Sequence, residues 1–151
     1  MPNLAASPQY ILLAEDNAAD VLLVREALAN RQVPLDLQLV EDGEQAIAFL
    51  QRIDRDLTLA CPSLLLLDLH LPKRNGEEVM RSLRASERCG RTPVVILTSS
   101  DSPGDRDKAR KGAALHYFRK PSTLQQFMEL GDIVKDIIGP DAGVRSVDTA
   151  S

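Results

Sequence analysis

The stretch Leu64-Leu65-Leu66-Leu67-Asp68-Leu69-His70-Leu71-Pro72 constrains this chain more than any other. Four consecutive leucines run into a carboxylate, and a proline follows four residues after that acid. A short apolar run bounded by turn residues suits a strand buried on both faces, as in a parallel sheet covered by helices, although pattern alone leaves a buried helix segment open. An acid that ends such a strand lies outside the carboxyl edge, where α/β sheets place their ligands. There it can stay ionised, as a nucleophile or a metal ligand. Taken alone, Asp68 is better explained as the cap of the next turn. The rest of the chain must decide.

The same grammar repeats. Tyr10–Ala14 is a short apolar strand that ends in Glu15-Asp16-Asn17, and from Asp20 to Asn30 the residues Val21, Val24, Ala27 and Leu28 recur at helical spacing. Leu35, Leu37, Leu39 and Val40 alternate with Asp36 and Gln38, which predicts a strand polar on one face and therefore at the sheet edge. A helix over Ala46–Ile53 follows, then a loop from Arg55 to Ser63. Asn75-Gly76 turns the chain into a helix carrying Val79, Met80 and Leu83. Pro93–Thr98 is rich in β-branched residues and is the strongest strand signal. Ser102-Pro103-Gly104-Asp105 opens a helix with Ser as N-cap, Pro first and an acid third; it runs to about Lys111 and is almost wholly charged. Leu115–Arg119 is the last strand, ahead of Lys120-Pro121. Leu124, Phe127, Leu130, Val134, Ile137 and Ile138 then line one side of a closing helix. Five strands alternating with five helices predict an α/β fold, a doubly wound five-stranded parallel sheet in the order 2-1-3-4-5 with right-handed crossovers.

Composition narrows the function classes. With 151 residues the chain fits one domain at 9–139, with a flexible leader at 1–8 and a flexible tail at 140–151. A net charge of −4 and the lack of a basic stripe argue against nucleic acid as a partner. No stretch is apolar enough to span a bilayer and no secretory signal opens the chain, so a cytoplasmic protein with no membrane partner is expected. Cys61 and Cys89 show neither metal-ligand spacing nor a disulfide framework, and are expected as reduced thiols.

In the 2-1-3-4-5 order, the strand ends at Glu15-Asp16, Asp68, Thr98 and Lys120 share one edge, and Asp16 lies beside Asp68 at the switch point between the first and third strands. Two carboxylates about 4 Å apart repel by about 4 kcal/mol at an effective dielectric of about 20, and a divalent cation would relieve that. Hard oxygen ligands without His or Cys side chains favour Mg²⁺ over Zn²⁺. With metal bound, Asp68 can offer an oxygen to a phosphoryl donor, while Lys120 and the Thr98 hydroxyl stabilise the transferred group.

Glu15-Asp16, Leu-Leu-Asp68-Leu-His-Leu-Pro72, Asn75-Gly76, Leu97-Thr98-Ser99 and Tyr117-Phe-Arg-Lys120-Pro121 together resemble the CheY-like receiver domain of two-component response regulators, over about residues 9–139. The resemblance implies a phosphoacceptor, not a turnover enzyme, on which a histidine kinase or phosphotransfer protein phosphorylates Asp68. It further implies that Glu15, Asp16, Asp68 and the backbone carbonyl of His70 hold Mg²⁺, that Thr98 and Tyr117 form the switch, and that Lys120-Pro121 is a cis peptide. His70 and Ser100 stand at positions that vary in the family and tune phosphate lifetime. The long Arg55–Ser63 loop, with Glu15-Asp16 and Thr98-Ser99-Ser100, looks like single-domain regulators paired with phytochrome-type kinases. Output is then expected through the face formed by the fourth helix, the fifth strand and the closing helix, where a target or a second copy could dock.

Two other classes fit less well. A Mg²⁺-dependent aspartyl phosphatase of the haloacid-dehalogenase type usually carries an acid two residues after its nucleophile, where this chain has His70. A flavodoxin-like carrier needs a phosphate-cradling loop after the first strand, where Glu15-Asp16-Asn17 would repel the anion. An interaction module that is never phosphorylated is harder to set aside, but the key side chains are all present.

Overall fold

The computed structural model describes residues 9–139, so the expectations of a flexible leader and tail lie outside the described residues. The strands are β1 Tyr10–Ala14, β2 Asp36–Val40, β3 Leu64–Leu67, β4 Val94–Thr98 and β5 His116–Arg119. The helices are α1 Ala18–Asn30, α2 Gly43–Arg55, α3 Gly76–Ala85, α4 Pro103–Lys111, α5 Leu124–Phe127 and α6 Glu129–Ile138. All strand pairs are parallel, and the order is β2-β1-β3-β4-β5, as the sequence predicts.

The leucine run forms the centre. All four residues of β3 are fully buried, because a central strand has helices over both faces and period-2 alternation sends successive side chains to opposite layers. Leu65 and Leu67 pack with Ala46, Leu50 and Ile53 of α2 and with Val79, Met80 and Leu83 of α3. Leu64 and Leu66 pack on the other side with Val24, Ala27 and Leu28 of α1 and with Leu130 and Val134 of α6. Each such leucine contributes about 1.5–3 kcal/mol relative to exposure. At the edge, β2 keeps Asp36 and Gln38 exposed.

Helix starts follow the capping signals. Asn17, Asp42, Asn75 and Ser102 each accept a hydrogen bond from the backbone N–H three residues on, and Asn75 with Glu78 completes a capping box. Gly76 is required for a different reason. Its N–H donates to Leu69 O at 2.8 Å, and a Cβ there would lie 2.6 Å from Leu69 Cα. Any larger residue would push α3 off the segment that follows Asp68.

The structure departs from expectation in its closing helix, at Leu124 and at the two cysteines. The closing helix is interrupted at Met128, where the bonds Met128 N–H to Gln125 O and Gly131 N–H to Met128 O tighten the turn. Gly131 there sits so close to α1 that a Cβ would meet Ala27 O at 2.4 Å. Leu124, expected on the packed side, is 54% exposed because it opens the helix beyond the reach of the core. Cys61 and Cys89, expected as separate thiols, form a disulfide. The Asp56–Ser63 loop folds back onto the end of α3, where the Arg88 guanidinium binds the carbonyls of Ile53, Asp56 and Leu59, and this brings the two cysteines together. Sequence spacing holds no record of that return.

Candidate functional site

The parallel ladder carries three acids and a lysine to one edge. Past the last paired residues, Glu15 N–H still donates to Val40 O, Asp68 N–H to Ala14 O and Lys120 N–H to Thr98 O, so each backbone is fixed where its strand stops. Carboxylate oxygens of Glu15, Asp16 and Asp68 lie within 4.8 Å of one another. Glu15 and Asp68 are buried and Asp16 is exposed, giving a cluster closed below and open above.

Lys120 reaches into this cluster. Its Nζ stands 2.7 Å from Asp20 Oδ2, 2.8 Å from Glu15 Oε1 and 3.3 Å from Asp68 Oδ2, with the side chain only 9% exposed. Burial alone would lower the ammonium pKa, but the carboxylates of Asp20, Glu15 and Asp68 outweigh it and raise it above the ordinary lysine value. Burial pushes the Glu15 carboxyl up against the lowering effect of Lys120, and the Asp68 charge adds to the rise. The Glu15–Lys120 contact is an ion pair without hydrogen-bond alignment, so Glu15 Oε1 is left buried with no hydrogen-bond partner among the described residues.

The three carboxylates test whether a cation fits. Glu15 and Asp68 are buried and share one ammonium, and exposed Asp16 adds a further negative charge beside them. Oxygen donors alone, with one side open to water, match a hard divalent ion of the Mg²⁺ or Mn²⁺ type. The residues present fit such an ion.

The ammonium arrives by a route other than the one implied by resemblance. Among the described residues no peptide bond is cis, so Lys120-Pro121 is trans. The expected cis bond is unnecessary, because the Lys120 side chain spans to three acids from a trans backbone. Asp68 Oδ1 accepts from His70 N–H at 2.9 Å, which closes the turn after β3. The His70 ring points elsewhere, its Nε2 2.8 Å from Asp105 Oδ2 of α4.

Thr98 and Tyr117 meet at one residue, Ser100, through its two flanking peptide groups. The buried Thr98 hydroxyl accepts from Ser100 N–H at 3.3 Å, and the Tyr117 hydroxyl donates to Ser100 O at 2.7 Å. Among the described residues Thr98 makes no hydrogen bond to Asp68. The Tyr117 ring is half-buried, and the Arg106 guanidinium of α4 lies 4.4 Å from its centroid. Burial raises the Tyr117 hydroxyl pKa, and the Asp105 charge adds to it. A hydrogen bond from Ser100 and the His70 ring hold the Asp105 carboxyl below its usual range despite burial.

The predicted residues Glu15, Asp16, Asp68 and Lys120 thus converge, while Thr98 and Tyr117 form an adjoining unit through Ser100. Sequence reasoning missed two residues. Asp20 was visible only as an early helical acid, although its spacing from Asn17 fits the third helical position. Asp105 was visible only as the acid of the α4 start, with nothing to indicate that His70 would reach it.

The profile described as response regulator receiver domain matches residues 11–131 of this chain. The response regulator Rcp1 of Synechocystis sp. is 41% identical over 98 residues, covering 65% of this chain and 67% of that protein. Among solved structures, the phosphorylated cyanobacterial phytochrome response regulator RcpA is similar with TM-score 0.75 and 34% identity, over 87% of this chain and 93% of that one. The Mn(2+)-bound form of response regulator Rcp1 gives TM-score 0.74 and 30% identity, over 95% of this chain and all (100%) of that one.

Proposed function

The chain belongs to the response regulator receiver family, whose members are phosphoacceptors of two-component signalling, and from that premise we propose that Asp68 is its acceptor and that Mg²⁺ is its metal. The observation that carries this reading is the convergence of Asp68 with Glu15, Asp16 and Lys120 on one sheet edge. Receiver domains exchange phosphoryl groups with histidine kinases or phosphotransfer proteins. A phytochrome-type kinase is the partner we favour, supported by the similarity to the phytochrome regulator RcpA.

Glu15, Asp16, Asp68 and the His70 backbone carbonyl would hold the cation, which when bound neutralises charge on the incoming phosphoryl group. A free Asp68 oxygen attacks phosphorus, the P–N bond to the donor imidazole breaks, and the imidazole leaves with its electron pair. The Lys120 ammonium moves with the transferred group and offsets its charge. Thr98, one strand over, turns its hydroxyl from Ser100 N–H toward a phosphoryl oxygen. Ser100 is the common partner of Thr98, through its N–H, and of Tyr117, through its carbonyl, so movement of that residue couples the acceptor to the Tyr117 ring and, through Arg106, to α4.

The metal part predicts that Asp16→Asn weakens Mg²⁺ binding at least tenfold and slows phosphorylation in step, measured by calorimetry and by labelling with acetyl phosphate. Full labelling in the presence of EDTA would remove the metal from the reaction. The switch part predicts that beryllofluoride with Mg²⁺ changes self-association or target affinity through the α4, β5 and closing-helix face in wild type, and that Thr98→Ala and Tyr117→Ala abolish the change. Equal shifts in all three proteins, by analytical ultracentrifugation, would break the relay while leaving Asp68 as acceptor.

A further inference from the structure

Asp20 is no part of the acid cluster that fits a cation, yet it makes the shortest contact to the Lys120 ammonium, 2.7 Å against 3.3 Å for Asp68. We propose that Asp20 is a positioning residue for the metal site: it draws Lys120 to the side, so that the ammonium holds Asp68 Oδ2 only at 3.3 Å and yields it more readily to the divalent cation. This rests on the metal-site reading above.

The anchor is rigid. Asp20 is the third residue of α1, and its N–H is held by Asn17 Oδ1 at 3.0 Å. The helix behind it is pinned by the buried Val21, Val24, Ala27 and Leu28. Its negative charge is also favoured at that helix start by the exposed N–H groups of the first turn. Asp20 is therefore a fixed anion at the side of the cluster, partly open to solvent with 22% of the side chain exposed, whereas Glu15 and Asp68 are buried.

The ammonium has three N–H donors, but it does not hold the three carboxylates equally. While Asp20 is present, Lys120 is tied at its outer side, and the contact to Asp68 is the longest of the three. Without Asp20, the same buried ammonium has only Glu15 and Asp68 as anionic partners among the contacts it makes, since a buried charge must remain paired. Both are candidate metal ligands, so an arriving cation would have to displace the lysine first. Asp20 lowers that competition and leaves Lys120 close enough to follow the phosphoryl group.

Removing an anion also weakens cation binding through its field alone, and a double-mutant cycle separates the two effects. Mg²⁺ affinity is measured by calorimetry in wild type, Asp20→Asn, Lys120→Met and the double variant, with folding checked by circular dichroism. Lys120→Gln serves as the second background if Lys120→Met does not fold. The expected result is about a tenfold loss on Asp20→Asn when Lys120 is present, less than twofold when it is absent, and recovery to within about threefold in Asp20→Glu. An equal loss in both backgrounds, or no loss in either, overturns the proposal while the metal site stands. A wild-type protein that binds no Mg²⁺ overturns both.

Discussion

Incubated with acetyl phosphate and Mg²⁺, the wild-type chain should gain one phosphoryl group by intact mass, and Asp68→Asn should gain none. The effect is all-or-none because no other acid among the described residues has the same surroundings. Glu15 is as buried, but its carboxyl is drawn upward in pKa and faces Lys120. Asp16 is exposed, and Asp20 is engaged by Lys120. Asp68 alone stands at the end of the central strand, with one oxygen held by His70 N–H and the other beside the ammonium. An amide at that position keeps the shape and loses the nucleophile. Undiminished labelling of Asp68→Asn would move the acceptor to another residue and would remove the main support for the phosphoryl chemistry set out above.

The second large effect concerns stability. Reducing the Cys61–Cys89 bond should lower the unfolding free energy by about 3–4 kcal/mol, because the crosslink closes a loop across a sequence separation of 28. For a domain of this size that corresponds to a fall in Tm of about 10 °C. The folded structure itself should change little, since Arg88 grips two carbonyls of the loop and one at the end of α2, and Tyr10 donates to Ala60 O independently of the sulfurs. Calorimetry of oxidised protein, dithiothreitol-reduced protein and Cys61→Ser should give one high Tm and two matching low ones. A reduced wild type that melts within about 2 °C of the oxidised protein would show that the loop is closed in the unfolded ensemble by other means.

The sheet order was legible because the three central strands are apolar runs, each ending in a residue with chemistry, while β2 alternates as an edge strand does. Leu64–Leu67 into Asp68 and Val94–Leu97 into Thr98 illustrate this, and a parallel sheet necessarily gathers such ends at one edge. Legibility failed where a contact joins residues far apart by side-chain reach. Lys120 and Asp20 are separated by 100 positions, and nothing local to Asp20 distinguishes it from an ordinary first-turn acid. The Cys61–Cys89 pairing failed for the same reason, since it depends on how the loop after α2, residues 56–63, folds back. The interruption at Met128 depends on the approach of Gly131 to Ala27, a distance that periodicity does not encode. The Lys120-Pro121 bond shows the converse, where resemblance supplied a detail that this chain's own geometry does not require.

The Tyr117–Ser100 contact also has an optical consequence. The chain contains no tryptophan and only two tyrosines. Tyr10 starts β1 at the end of the sheet opposite the acids, with its hydroxyl bonded to Ala60 O. Tyr117 sits beside the acceptor edge under the Arg106 guanidinium. With Tyr10→Phe as background, all tyrosine emission from the protein comes from the one ring whose hydroxyl is bonded to the Ser100 carbonyl. The intrinsic fluorescence of the unlabelled protein thereby becomes a single-site record of that loop, readable in a stopped-flow instrument while phosphoryl transfer takes place.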